Sequence, residues 1–181
     1  MNRAFVVALL GAESTGKTTL AGEIAAALAA RGLSTEVVAE ALREFCIARQ
    51  RTPRRNEQPD LASEQTRRIE AAAARAQVVV ADTTALMIAV YSDLVFADAS
   101  LYALAEVEQR RCDLTLLTGL DLPWRADGLQ RDGAHVREPV DALVRAALAR
   151  AGAAFEAVSG SGPARLASAL AAIDVALATR R

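Results

Sequence analysis

Within the first 32 residues an unbroken apolar run, AFVVALL at 4–10, gives way to GAESTGKT at 11–18 and then to a stretch of helical period that stops at Gly32. Gly11, Gly16, Lys17 and Thr18 satisfy GxxxxGK[ST], and the pattern works only where it stands here, between a strand and a helix. Its glycines let consecutive backbone N–H groups curl around a phosphate, and the helix that follows adds the positive end of its dipole. The opening of the chain is therefore a strand, a tight loop and a helix, with a nucleoside triphosphate as the implied ligand. Lys17 is the only lysine, beside 20 arginines. A guanidinium replaces an ammonium on most solvated surfaces, but it is planar and bulkier, whereas an ammonium is a compact point charge that fits between the transferring phosphate and the one it leaves. The nucleotide-binding residues read from the loop are Gly11, Glu13, Ser14, Thr15, Gly16, Lys17, Thr18 and Thr19. Thr18 offers its hydroxyl to Mg²⁺, and Thr19 is open to a simpler role as a cap or packing residue.

Downstream, short β-branched runs alternate with longer Ala/Leu-rich segments of helical period, the pattern of a parallel sheet with crossover helices. Strands are expected at 4–10, 34–40, 78–82, 112–117 and 154–159. Helices are expected over 18–31, 41–51, 60–76, 83–111 with a break near 96–100, 139–151, and from Pro163 onward. Asp60 is expected to cap the third of these helices. The tally is a three-layer α/β fold with a five-stranded parallel sheet, one domain over 1–181.

A carboxylate after a run of apolar strand residues is where such a fold holds Mg²⁺, and Asp82 closes VVVAD in that way; a plain helix cap is the alternative. Thr83, Thr84 and Ala85 follow it, so there is no DxxG switch. TGLD at 118–121 has Gly119 where a guanine-reading motif needs lysine, so a GTPase is disfavoured twice. Glu40 closes the second strand at the same edge, with Arg43 and Glu44 one turn later. Ligands in such sheets bind beyond the carboxyl ends of the strands, so Glu40 can take a proton from an acceptor hydroxyl while Arg43 positions the acceptor or the incoming phosphate. A solvated ion pair worth a few tenths of a kcal/mol is the alternative for Arg43 and Glu44.

The polar stretch after the fourth strand is too long for an ordinary connection. It carries Arg125, Arg131 and Arg137 at six-residue spacing, with Gly128 and Gly133 between them. It reads as a lid over about 121–137 that excludes water, Arg131 being the arginine expected to stabilise the transferring group. Trp124 is expected to anchor the loop, and His135 to be an exposed lid residue.

A net charge of -1 gives no global field for nucleic acid or an anionic membrane. Cys46 and Cys112 have no metal-type spacing and read as free thiols of a cytoplasmic protein. The expected partner is a small-molecule acceptor.

Taken together, GAESTGKTTL, AEALREF, VVVADTTALMIAVYSD and LPWRADGLQRDG resemble the ribosylnicotinamide kinase domain of the bifunctional NAD-biosynthesis regulator proteins and its stand-alone relatives. The likeness runs over about 5–159, and its most specific pieces are Glu13, the E-x-x-R-E spacing of Glu40, Arg43 and Glu44, and PWxADG at 123–128. The resemblance implies a nucleoside-kinase-like sheet with a lid, and transfer of the γ-phosphate from MgATP to nicotinamide riboside or a similar nucleoside. It also implies that Lys17 and Thr18 hold phosphate and Mg²⁺, that Asp82 lies at the metal or hydroxyl end, and that Glu40 and Arg43 lie toward the acceptor. Two departures stand out. Regulator-type members carry an adenylyltransferase domain, for which this reading leaves no room, and Thr84 stands where an acid is expected. A nucleotide-dependent regulatory ATPase read by a protein partner is the second reading.

Overall fold

Apolar runs in the strands are covered by helices on both faces of the sheet, and this sets the layers. The computed structural model describes residues 3–125 and 133–180, and the chain order is β1 (Phe5–Leu10), α1 (Lys17–Ala30), β2 (Thr35–Val38), α2 (Ala41–Arg49), α3 (Gln58–Ala73), β3 (Val78–Asp82), α4 (Ala85–Phe96), α5 (Tyr102–Gln109), β4 (Leu114–Thr118), α6 (Arg137–Ala151), β5 (Glu156–Val158) and α7 (Gly162–Thr179). The five strands form one parallel sheet in the order β2-β3-β1-β4-β5. Every residue of β1 and β3 is buried, which is why these uninterrupted apolar runs take the centre. The shorter, partly exposed β2 and β5 form the edges.

Side chains of a strand point alternately to opposite faces. Phe5, Val7 and Leu9 pack with Leu20, Ile24 and Leu28 of α1 and with Ala169 and Ile173 of α7. Leu10 and Leu117 pack on the other side with Leu42, Leu61, Leu86 and Leu148, from α2, α3, α4 and α6. Val6 and Val79 complete that side beneath Ala72 of α3. The expected five-stranded three-layer α/β fold is the observed one.

Register brings the site together. Leu9 pairs with Asp82, Leu10 with Leu117, and Val38 with Ala81, so β1, β2, β3 and β4 end close to one level. Because α1 and α4 lie on opposite faces, a crevice opens between the neighbouring strands β1 and β3 at their carboxyl ends.

Two local expectations need correction. Asp60 does not cap α3: the helix begins at Gln58 with Pro59 in its first turn, where proline's fixed φ and missing N–H cost nothing. Asp60 instead sits in that first turn, where its charge still favours the helix dipole. α6 starts at Arg137, two residues before the expected Pro139, again with proline inside the first turn. The break near 96–100 is as read, closed by Ala97 in the left-handed region at φ 50°. No described helix is long and apolar enough to cross a membrane. Cys46 and Cys112 are free thiols.

Candidate active site

The turn between β1 and α1 is fixed from below by β4. Gly11 has φ +145°, and a methyl group there would lie 2.1 Å from Thr118 Oγ1 and 3.0 Å from the Thr118 carbonyl oxygen. The Thr118 hydroxyl reaches both the Leu10 carbonyl (3.0 Å) and Thr15 Oγ1 (2.7 Å), and Thr15 donates in turn to the Ala12 carbonyl at 2.8 Å. Thr15 and Thr118 are fully buried, so these two hydroxyls shape the loop from inside. Gly11→Ala therefore combines backbone strain of about 1–3 kcal/mol with overpacking of similar size. The expected result is a melting temperature lower by roughly 5–15 °C, read by circular dichroism, with nucleotide binding weakened in proportion.

Gly16, at φ 73°, opens α1, and the Lys17 ammonium folds back to donate to the carbonyls of Gly11 and Ala12, 2.8 Å each. Thr18 donates to Asp82 Oδ2 at 2.6 Å. Asp82 is 2% exposed, and its other oxygen, Oδ1, is buried without a hydrogen-bond partner. A hydroxyl beside a carboxylate with an unpartnered oxygen is a hard oxygen donor set, and it fits Mg²⁺. Among the described residues no group of three His, Cys, Asp or Glu could hold a metal by itself, so a cation here would draw its remaining ligands from phosphate and water.

Glu40 is the N-cap residue of α2, with φ -67° and ψ 111°. Its carboxylate lies 3.6 Å from Arg43 Nε. Glu44 turns away into a surface chain of charges, accepting from Arg68, which also pairs with Glu64. The E-x-x-R-E spacing thus brings its first acid and its arginine to the site and leaves its second acid outside. Beyond Asp82 the chain takes a strained step: Thr83 has φ 88°, a value that a β-branched residue holds only when its surroundings impose it. The Thr83 hydroxyl is buried without a partner. Burial, aided by the nearby Glu40 carboxylate, pushes the Cys46 thiol up from its ordinary value, so it stays protonated.

Two spaces meet at these residues. A cleft of about 580 Å³ is lined by 14–19, Arg43, Leu122, Pro123 and Arg125. A small cavity of about 30 Å³, with room for about one or two water-sized groups, is lined by Glu13, Lys17, Glu40, Arg43, Thr83 and Tyr91, among others. Lys17 and Arg43 line both.

The segment after β4 is tied to the phosphate loop. Ser14 accepts from the Arg125 amide at 2.8 Å and donates to the Arg125 carbonyl at 3.2 Å. Trp124 donates from its indole to Glu13 Oε2 at 3.4 Å, the anchoring role expected of it. Glu13 is 4% exposed. The Arg125 side chain lines the cleft. Arg137 is buried at the start of α6, and its two Nη groups donate to the carbonyls of Leu122 (2.9 Å) and Leu120 (3.1 Å), holding the base of the segment. Arg131 and the centre of the expected lid lie outside the described residues. His135 is exposed.

Three residues escaped sequence reasoning. Thr118 is one. Gln65 of α3, fully buried, accepts from the Ala41 amide at 2.8 Å and donates to the Thr83 carbonyl at 3.1 Å. A single carboxamide thus clamps the residue after Glu40 to the residue after Asp82. Arg165 of α7 is 4% exposed and donates to the Thr15 carbonyl. Thr84 caps α4 and joins a buried relay through Gln109 to Thr115, donating to the Gln109 carboxamide oxygen, which an ionised acid could not do.

The arrangement can cradle a polyphosphate, hold Mg²⁺ at Thr18 and Asp82, and set a carboxylate beside an acceptor hydroxyl. The sequence profile of the AAA domain matches residues 6–165. No curated protein sequence matches the chain. Among solved structures, NadR protein in complex with NR superposes with a TM-score of 0.73 at 21% identity, over 95% of this chain and 49% of that one. NadR protein in complex with NAD and AMP-PNP gives 0.72 at the same identity and coverage. Thymidylate kinase from Ehrlichia chaffeensis gives 0.65 at 12% identity, over 96% of this chain and 99% of that one. Deoxyadenosine kinase from M. mycoides gives 0.63 at 12%, over 94% and 100%. The chain spans about half the length of the NadR chains it matches. At these identities the likeness is one of fold, that of P-loop kinases.

Proposed function

The chain belongs to the AAA domain family, and from that premise we propose that it is a cytoplasmic ATP-dependent small-molecule kinase. In this reading it moves the γ-phosphate to a hydroxyl of nicotinamide riboside or a similar nucleoside. One observation carries the proposal: Lys17 and Arg43 line both the phosphate cleft and the small cavity walled by Glu13 and Glu40. Two cations stand where the spaces for donor and acceptor meet. The resemblance of the sequence to ribosylnicotinamide kinase domains, and a fold shared with NadR and with two kinases of nucleosides and nucleotides, support the same reading.

The loop amides and Lys17 hold the triphosphate, and the segment at 122–125 closes the cleft on one side. Thr18 and Asp82 would hold Mg²⁺, which when bound would neutralise part of the phosphate charge. Glu40 accepts the proton of the acceptor hydroxyl as its oxygen bonds to the γ-phosphorus, the bond to the β-γ bridging oxygen breaks and ADP leaves; the proton passes from Glu40 to solvent. Arg43, paired with Glu40 beforehand, is placed to meet the negative charge of the transferring group. The small cavity, walled in part by Met87 and Tyr91, admits only a hydroxyl-sized group, so in this reading a whole nucleoside needs its surrounding side chains to give way.

Glu40→Gln is expected to lower kcat about 10²-fold or more and to leave the KM for ATP within about twofold, because Glu40 does not line the phosphate cleft. Steady-state ADP release at saturating acceptor checks this. The wider test is a thermal-shift screen of nucleosides with AMP-PNP and Mg²⁺. At a hundred times its dissociation constant an acceptor stabilises by about 2.7 kcal/mol, a rise of roughly 5–10 °C for a chain of this size. A screen in which no nucleoside raises the melting temperature above that with AMP-PNP alone counts against the proposal.

A further inference from the structure

Arg165 stands in the first turn of α7, 150 positions beyond the residue it touches. Its Nη2 donates to the Thr15 carbonyl at 2.5 Å, and a methyl group on Gly16 would sit 3.5 Å from its Nη1. The guanidinium therefore lies against the turn where the phosphate loop becomes α1, on the side away from solvent. It is 4% exposed, and its Nε has no hydrogen-bond partner. Asp121 and Glu23 act on it through space but not by hydrogen bonds, and burial lowers its pKa despite them. Asp121 is itself engaged, accepting from the Gly160 amide.

A buried cation without a carboxylate at contact is expensive, and a well-packed apolar side chain in its place is often neutral or stabilising. If α7 needed only to be packed, an apolar residue would serve, as Leu166, Ala169 and Ile173 do farther along the same helix. The charge has a use once an anion of several charges arrives at the loop amides. We propose that Arg165 is a positioning residue of the phosphate loop, whose buried charge, acting through the Thr15 carbonyl and the Gly16 turn, is a standing counter-charge to the triphosphate. It does not line the phosphate cleft; it fixes the curl of the loop and raises the local potential from behind, as Lys17 does from within.

The inference rests on the loop binding a triphosphate, and not on the identity of any acceptor, so its test reads binding rather than transfer. Dissociation constants for AMP-PNP with Mg²⁺, and for adenosine, are measured by calorimetry on wild type, R165Q and R165K, together with melting temperatures without nucleotide. R165Q keeps donors but no charge, and is expected to weaken AMP-PNP about 10-fold or more, to leave adenosine within about twofold, and to melt no lower than wild type. R165K keeps the charge and is expected to stay within about threefold of wild type for AMP-PNP. An R165Q protein that binds AMP-PNP like wild type overturns the inference, and so does one that melts well below wild type or loses both ligands equally, since either means a packing role. Transfer that fails on every nucleoside while these affinities split as expected leaves the inference standing and removes the kinase reading alone. A wild-type protein that binds no AMP-PNP removes both.

Discussion

Replacing Lys17 with methionine is expected to lower phosphate transfer roughly 10³-fold or more while the protein stays folded. The two effects separate because of where the ammonium sits. Its bonds to the carbonyls of Gly11 and Ala12 are made at a half-buried position. Neutral replacement of such bonds costs about 1–3 kcal/mol, within the stability of an ordinary domain. In the proposed transfer the same ammonium would meet charge developing on the transferring group, where a preorganised donor is worth more than one free in solution. Lys17→Arg is the sharper variant. It keeps the charge, but a planar guanidinium has to enter a turn that Gly11 and Gly16 close tightly, and it is expected to recover less than about a tenth of the activity. ADP formation in the presence of acceptor, with a circular dichroism melt on the same sample, checks both. An active Lys17→Arg protein would leave the lone lysine among 20 arginines without a chemical reason.

Asp82→Asn is the second large effect. Asparagine keeps the volume and can still accept from Thr18, so the 2.6 Å contact survives in form. What disappears is the negative charge and the unpartnered Oδ1 oxygen. Without Mg²⁺ the variant is expected to be as stable as wild type or slightly more so, because an incompletely paired buried charge has been removed. With Mg²⁺ and ATP, transfer is expected to fall about 10²-fold to 10³-fold. A second readout isolates the metal: in wild type, ATP should raise the melting temperature more with Mg²⁺ than with a chelator present, and in Asp82→Asn that difference should vanish. A variant that retains the difference would separate Asp82 from the cation.

The parts of the site that were legible in the sequence are those carried by one residue type at one local position. The loop at 11–18 announces itself by spacing, Asp82 by closing a strand, and Glu40 by closing another at the same edge. The α/β alternation was legible for the same reason, since periodicity is a local property. Sheet order is not local: nothing within β1 says that its neighbours are β3 and β4 and not β2. Thr118, Gln65 and Arg165 were hidden because each acts on backbone far along the chain. Thr118 reaches back 108 positions to the Leu10 carbonyl, Gln65 spans 24 positions to Ala41 and 18 to Thr83, and Arg165 reaches 150 positions to Thr15. As sequence letters they are an ordinary strand threonine, a helix glutamine and one arginine among many. Gln65 carried one faint signal, a polar residue on the apolar face that Leu61 and Ala62 mark out. Asp60 was misread because aspartate suits both a cap and a first turn, and Pro59 decided between them. Arg137 shows the limit of spacing: three arginines six apart suggest a shared role, yet this one is buried on the carbonyls of Leu120 and Leu122.

The central claim is that the γ-phosphate leaves for a small acceptor and not for water. It is tested most directly by incubating the purified chain with Mg²⁺ and ATP labelled in its γ-phosphate, alone and with nucleosides headed by nicotinamide riboside, and by following the label. The account predicts that label appears on the nucleoside at the rate at which ADP appears, and that ADP formation nearly stops when the acceptor is left out. ADP formed at the same rate with and without every acceptor, with all the label in inorganic phosphate, would contradict it and point instead to a nucleotide-dependent ATPase read by a protein partner.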